Sequence, residues 1–485
     1  MRLRTTLISA FAGVATIASA LACASARADE TPLAFQGNLF DQLPEPFFPT
    51  MFRTRDLDGD GFPDLVIAGR DPDDRLITQR GLGNGRFVTL QTLAAPGFVD
   101  WVELADIDGD GREDIVGAWR GDVPRLVCYR GLAGGLFEEA LLLADVELGG
   151  VGRDPQSVAL GDFDGDGDVD VAVCNYIGQS IDVFSSRVAN GGGLAFERTA
   201  RVRLGQFLGG IAYPRLVHAG DMDGDGDLDL VVNEIGASRI AVIRNEAGRF
   251  VAAKEYRVPI LGAERPGIAG MDLADIDGDG DLDVVCPALL LDSAQRVLAF
   301  VNDGTGALTQ TLDGDGAPTG YSFSLLLADF DGDGDLDAVS GAALPGTIAI
   351  GRRTGAGAFT FEIDQSFQFG SLIRHLAAID VDGDCDLDLV GIDAPSRTVF
   401  TRRNVTPQQG SGCGGFAEAQ QEQPKSLPRK STGKQAIAAR PTPARESVPM
   451  ADRDHNGVVD AADVAIWIAE LSQAVAPQPV KAGAK

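Results

Sequence analysis

A nine-residue pattern, D-x-D-G-D-x-x-x-D, occurs seven times in this chain, beginning at Asp56, Asp106, Asp162, Asp221, Asp275, Asp329 and Asp380. The starts lie 50, 56, 59, 54, 54 and 51 residues apart. Repetition at this period restricts the fold to architectures in which one supersecondary unit stacks on copies of itself.

Each copy has the same surroundings. A short apolar run precedes it, such as Trp101 to Leu104 or Phe323 to Leu327, and another follows, such as Leu65 to Ile67 or Leu230 to Val232. A third run comes after a turn, as at Arg239 to Ile243, and a Gly-rich turn leads to a fourth, as at Gly83 to Val88. Four short strands rich in Val, Ile and Phe make an antiparallel meander, and no helical period is sustained. One meander cannot bury both faces; a closed ring of them can. Residues 32–403 therefore read as an all-β, seven-bladed β-propeller. The last unit lacks its fourth strand, and Pro32 to Phe35 looks like a fourth strand without a unit. The expectation is that this N-terminal strand completes blade 7.

The repeated loop has the ligand logic of a calcium site. Aspartates at positions 1, 3, 5 and 9 turn their carboxylates to one centre, Gly at position 6 permits the tight turn, and position 7 offers its carbonyl. The four are Asp56, Asp58, Asp60 and Asp64 in the first copy and Asp106, Asp108, Asp110 and Asp114 in the second. They are Asp162, Asp164, Asp166 and Asp170 in the third and Asp221, Asp223, Asp225 and Asp229 in the fourth. The fifth has Asp275, Asp277, Asp279 and Asp283, the sixth Asp329, Asp331, Asp333 and Asp337, and the seventh Asp380, Asp382, Asp384 and Asp388. Oxygen donors without thiol or imidazole select Ca2+ over zinc, and the geometry suits Mg2+ less well. Asp-Gly turn chemistry accounts for one or two such aspartates, not for the same four in seven copies. Position 2 is always apolar and is expected to anchor the loop to the blade. In the seventh copy Cys385 stands where the turn glycine belongs, which costs strain at positive φ.

With these motifs, the units resemble the FG-GAP / VCBS-type repeats of integrin α-chain propellers and of many secreted bacterial proteins. The resemblance covers residues 32–403. It implies a seven-bladed propeller with calcium in the loop between the first and second strands of each blade. Members of that family mostly bind ligands or other proteins, and a minority are enzymes such as polysaccharide lyases.

The ends of the chain read differently. Arg2 and Arg4, an apolar stretch from Leu7 to Leu21, and Ala26-Arg27-Ala28 form a secretory signal cleaved after Ala28, with lipid modification of Cys23 as the alternative. Secretion to the extracellular space or cell surface is expected, with no membrane span in the mature chain. Cys128, Cys174 and Cys286 sit in apolar runs and read as buried; Cys385 and Cys413 lie in loop-like sequence and could pair. Residues 404–450 read as a flexible linker. Residues 451–473 hold one more calcium loop, with Asp452, Asp454, Asn456, Asp460 and Asp463 as ligands, followed by an apolar helical pattern. This resembles half of a dockerin or a lone EF-hand and implies a docking or sorting partner. Residues 474–485 read as a disordered tail.

The chain carries 71 Asp+Glu against 41 Lys+Arg, a net charge of −30, which argues against nucleic acid as a partner. Three histidines argue against a His-based metal site. The leading expectation is a calcium-binding scaffold or adhesion protein, not an enzyme, with an extracellular protein or polysaccharide ligand. The competing reading is a carbohydrate-active enzyme using Tyr213, Arg215, His218, Arg374 and His375 on the face opposite the loops. A structural envelope component is the third.

Overall fold

The computed structural model describes residues 33–406, apart from stretches at 71–73, 121–124, 143–153, 190–192, 206–211, 252, 259–269, 290–294, 312–314, 318–321, 343–346, 354–360 and 369–371. The signal 1–28, the linker beyond Thr406, the loop module 451–473 with its ligands, and the tail 474–485 lie outside the described residues. Every regular element among the described residues is a strand, and the architecture is the expected seven-bladed propeller.

The repeated motif dictates where strands stop and start. The seven inner strands are Phe48–Arg55, Phe98–Ala105, Pro155–Gly161, Pro214–Gly220, Asp272–Ala274, Ser322–Ala328 and Ile373–Ile379, and each ends on the residue before position 1. The second strands begin on the aspartate of position 9, at Asp64, Asp114, Asp170, Asp229, Asp283, Asp337 and Asp388. All pair antiparallel, so every loop projects from the same end of the ring. Each inner strand packs against the inner strands of both neighbouring blades, and that of blade 7 packs on that of blade 1.

The core is divided among the interfaces between blades. Seven clusters of buried apolar residues occur among the described residues, each drawn mainly from two adjacent blades. The cluster between blades 3 and 4 joins Phe163, Ala172, Cys174 and Ile181 to Val217, Leu230, Val232 and Ile243. The period-2 alternation of each strand feeds one interface from each of its faces. Cys128, Cys174 and Cys286 are buried free thiols within these clusters, as expected. The position-2 side chains enter the same clusters: Ile107, Phe163, Met222, Ile276, Phe330 and Val381 are buried, and Leu57 is partly so.

Blade 7 is completed from the amino end. Strand Phe35–Gln42 pairs antiparallel with Thr398–Asn404, with Phe35 opposite Asn404 and Gln42 opposite Thr398. The closing strand was expected at Pro32 to Phe35 and begins only at Phe35. Leu33 is instead a buried anchor between blades 6 and 7, and Leu43 plays the same part between blades 7 and 1. The Val405 amide donates to the Ala34 carbonyl at 2.7 Å and the Ala34 amide to Thr406 Oγ1 at 2.8 Å, so pairing outlasts the strand. Deleting residues 29–40 exposes the edge of Thr398–Asn404 and opens the ring. The melting temperature followed by circular dichroism is expected to fall steeply, and an unchanged value would contradict the closure.

Candidate metal centres

In each repeated loop the first carboxylate organises the backbone. Asp56 Oδ1 accepts the Gly59 amide at 2.8 Å and Oδ2 accepts the Gly61 amide at 2.9 Å. Asp162, Asp221, Asp275 and Asp329 repeat the arrangement. Gly61 has φ 91°, a conformation that strains any residue with a Cβ. Cys385 adopts φ 74° in blade 7, and its amide still reaches Asp380 Oδ2 at 3.0 Å. The seventh loop thus closes like the others despite its missing glycine. Cys385 is disulfide-bonded to a cysteine outside the described residues.

The aspartate of position 9 fastens the loop to the blade. Its Oδ2 accepts the position-2 amide in all seven copies, at 3.0 to 3.1 Å. Its Oδ1 accepts an amide in the third strand or just past it: Gly81, Gly131, Ser186, Asn245, Asn302 or Asn404, at 2.7 to 2.9 Å. Burial pushes the carboxyls of Asp114 and Asp283 up to about 6, Asp229 to about 7, and Asp170 and Asp388 to about 8, with neighbouring aspartates adding to the rise.

The loops gather their donors at one point. In blades 1 to 3 oxygens of positions 1, 3 and 9 lie within 4.8 Å of one another; in blades 4 and 5 those of positions 1, 3 and 5 do. Position 5 also accepts the position-7 amide, as Asp60 does from Phe62 at 3.0 Å and Asp225 from Asp227 at 2.9 Å. The Oδ1 atoms of Asp223 and Asp382 are buried without a hydrogen-bond partner. Oxygen donors crowded this closely, some desolvated and unsatisfied, fit a hard divalent cation.

Two further side chains serve these loops and lie outside the nine-residue motif. An arginine of the third strand reaches the position-3 carboxylate in blades 1, 2, 4, 6 and 7. In blades 4 and 7 the residue after this arginine, and in blade 5 the residue after Val301, is Asn, whose Nδ2 donates to the position-2 carbonyl of the preceding blade: Asn245 to Phe163 at 2.7 Å, Asn302 to Met222 at 2.8 Å and Asn404 to Phe330 at 2.6 Å. The Arg-Asn pairs at 244–245 and 403–404 were the available sequence signal.

The opposite end of the ring is arginine-rich. Inner strands start there and second strands end there. Asp100 accepts from Arg70 at 3.3 Å and Arg120 at 2.6 Å; both guanidiniums lie over Phe98, and Arg120 also pairs with Asp154. Arg374 is close to Arg70 and Arg215; burial first, then these like charges, pull it down to about 9. Tyr213 stacks on Tyr176, with ring centroids 4.8 Å apart. Deeper in the ring, Arg53 forms a two-point bridge to Glu103, lies over Trp101 at 4.8 Å, and donates to His375 Nε2 at 3.2 Å. Burial, then the Arg53 charge, hold His375 far below the ordinary imidazole range and His218 at about 4. The five residues named for the enzyme reading thus all belong to inner strands or their entrances at this end.

Residues 56–117, 221–286 and 329–391 match the model of the FG-GAP-like repeat. The chain carries FG-GAP-like repeats. No curated protein sequence matches it. Among solved structures, BBS1N in complex with ARL6DN is 12% identical with a TM-score of 0.50, over 78% of this chain and 98% of that one. A periplasmic gluconolactonase of Pseudomonas aeruginosa is 15% identical with a TM-score of 0.47, over 72% and 89%. An Agrocybe aegerita lectin described as recognising non-reducing terminal N-acetylglucosamine is 18% identical with a TM-score of 0.43, over 70% and 81%. At these identities the likeness concerns the fold alone.

Two outcomes follow for the ring. Asn302→Ala removes the bond to blade 4 and leaves the Met222 carbonyl buried without it; a loss of about 1–3 kcal/mol is expected in denaturant unfolding. Asp272 accepts the amides of Leu273 at 3.0 Å and, in the next blade, Leu327 at 3.1 Å, and burial raises it to about 7. A carboxyl raised on folding stabilises most below its ordinary pKa, and that stability is lost as pH climbs through about 7. The melting temperature of the native chain should therefore fall relative to Asp272→Asn between pH 5 and pH 8.5. A constant difference would contradict the assignment.

Proposed function

We propose that this chain is a secreted, calcium-stabilised propeller that binds an extracellular protein or polysaccharide at the arginine-rich end of its ring. The carrying observation is the convergence of carboxylate oxygens in the loops of blades 1 to 5, with unsatisfied buried oxygens at Asp223 and Asp382. Asp at positions 1, 3, 5 and 9 would hold Ca2+, which neutralises the crowding and joins the inner strand to the second strand of each blade. Loading should raise the melting temperature, EGTA should lower it, and added Ca2+ should restore it. Equal melting temperatures in chelator and in millimolar Ca2+ would refute the calcium role.

The signal at 1–28 supports export, and a secreted product starting at Asp29 is the expected N-terminal sequencing result. Arg70, Arg120, Arg215 and Arg374 suit a ligand bearing carboxylate or sulfate groups, because guanidinium pairs with both in two-point geometry. The module at 451–473, with one further calcium loop, would attach the propeller to a docking or sorting partner.

A carbohydrate-active enzyme is the second reading. The observation behind it is that Arg374 lies near Arg215 and Arg70 at the end of the ring opposite the loops. A panel of neutral and acidic polysaccharides, assayed for retention and for released product, separates the two. Retention without product supports the binding reading, and soluble product supports the enzyme.

A further inference from the structure

The third strand meets each loop at one fixed register. The residue whose amide binds the position-9 aspartate is Gly81, Gly131, Ser186, Asn245, Asn302 and Asn404 in blades 1, 2, 3, 4, 5 and 7. The side chain immediately before it points at the position-3 carboxylate. Arg80 Nε lies 2.8 Å from Asp58 Oδ2, Arg130 Nε 3.2 Å from Asp108 Oδ2, Arg244 Nη1 3.1 Å from Asp223 Oδ2 and Arg403 Nη1 3.2 Å from Asp382 Oδ2. Arg352 Nη2 bonds Asp331 Oδ2 in blade 6. Two blades depart from this. In blade 3 the position is Ser185, whose Oγ donates to Asp164 Oδ2 at 2.9 Å, and in blade 5 it is Val301, which offers no polar atom.

We propose that this single third-strand position sorts the seven loops into two calcium classes: five carrying a resident guanidinium, and two, in blades 3 and 5, without one. The inference rests on the calcium reading above and adds a rank order to it. The arginine always takes Oδ2, the oxygen that leaves Oδ1 facing the loop. In blades 1, 2 and 6 that Oδ1 accepts the position-5 amide at 3.1 to 3.2 Å. In blades 4 and 7 it is buried without a partner. The guanidinium therefore does not occupy the ion's place. It neutralises the position-3 carboxylate from outside, and in blade 1 also that of Asp60 at 2.7 Å, and keeps the loop folded when no ion is bound. The same positive charge repels an incoming Ca2+. With a divalent ion a few ångström away, Coulomb repulsion in a water-like dielectric weakens binding roughly tenfold per site. The loop of blade 5 has no such counter-charge from this position, where the apolar Val301 pairs with Thr309 instead. Blades 3 and 5 thus fill first as calcium rises, while the other five tolerate its absence.

Calcium titration of the chelator-treated full chain, by calorimetry and equilibrium dialysis, tests this. Relative to the native chain, Val301→Arg should move one site from the tight class to the weak class, and Arg80→Gln and Arg403→Gln should each move one the other way. Unfolding in EGTA gives a second readout. Val301→Arg should raise the metal-free melting temperature and Arg80→Gln should lower it, with smaller differences in saturating Ca2+. Because each variant is compared with the native chain, a further site at 451–473 does not disturb the count. Unchanged class sizes in all three variants, or a single class of equivalent sites, would overturn the two-class assignment and leave the calcium reading standing. No bound Ca2+ at any concentration would overturn both.

Discussion

The buried aspartate that opens the second strand of every blade holds the architecture together. Each of its two oxygens has a fixed task, one on the loop's second amide and, in six blades, one on an amide in the third strand or just past it. Three strands and the loop are thereby locked at one register. The cost is a desolvated carboxylate, visible in its raised pKa. A residue that is expensive to bury and placed identically in seven blades sets the geometry of everything around it. The inner strand ends where it does because the loop must return to this point.

That lock explains how the loops take part in the core. The position-2 amide bonds the lock while its side chain enters an inter-blade cluster, as Phe163 does between blades 3 and 4. The carbonyl of the same residue accepts the Asn245 side chain of the next blade. One residue thus joins its own loop, the apolar interface and the neighbouring loop. Cooperativity around the ring follows from such shared residues, because a loop cannot loosen without disturbing the interface beside it.

Much of this was legible in the sequence because it recurs. The aspartate spacing placed a strand on either side of each loop, although the expected runs, such as Trp101 to Leu104 and Leu65 to Ile67, stop short of the strand ends at Ala105 and Asp64. Blade number and closure from the amino end followed from counting strands. The closing strand was set too early because Leu33 is apolar for burial between blades, and a four-residue window cannot tell an anchor from a strand. The arginine and asparagine beside the third strand are not legible from the motif, because they lie 15 to 19 residues past its last aspartate, across a turn. Only the register with the position-9 aspartate makes them equivalent. Tyr213, Arg215, His218, Arg374 and His375 were noted as separate non-repeated residues. Their neighbourhood with Arg53, Arg70 and Trp101 comes from ring closure, which brings blade 7 beside blade 1 and exists in no single repeat.

The two ends of the ring differ in charge because the motif has only one place to sit. Antiparallel pairing puts every first-to-second-strand loop at the same end, so seven carboxylate clusters accumulate there. The other end is free of the motif, and guanidiniums from blades 1, 2, 4 and 7 collect there around Asp100 and Asp154. In a chain of net charge −30, an anion meets repulsion over most of the surface and concentrated guanidinium at that mouth. A cation meets the converse at the loops. The same repeat that builds the blades therefore separates the two kinds of charge, and which end carries which follows from strand direction.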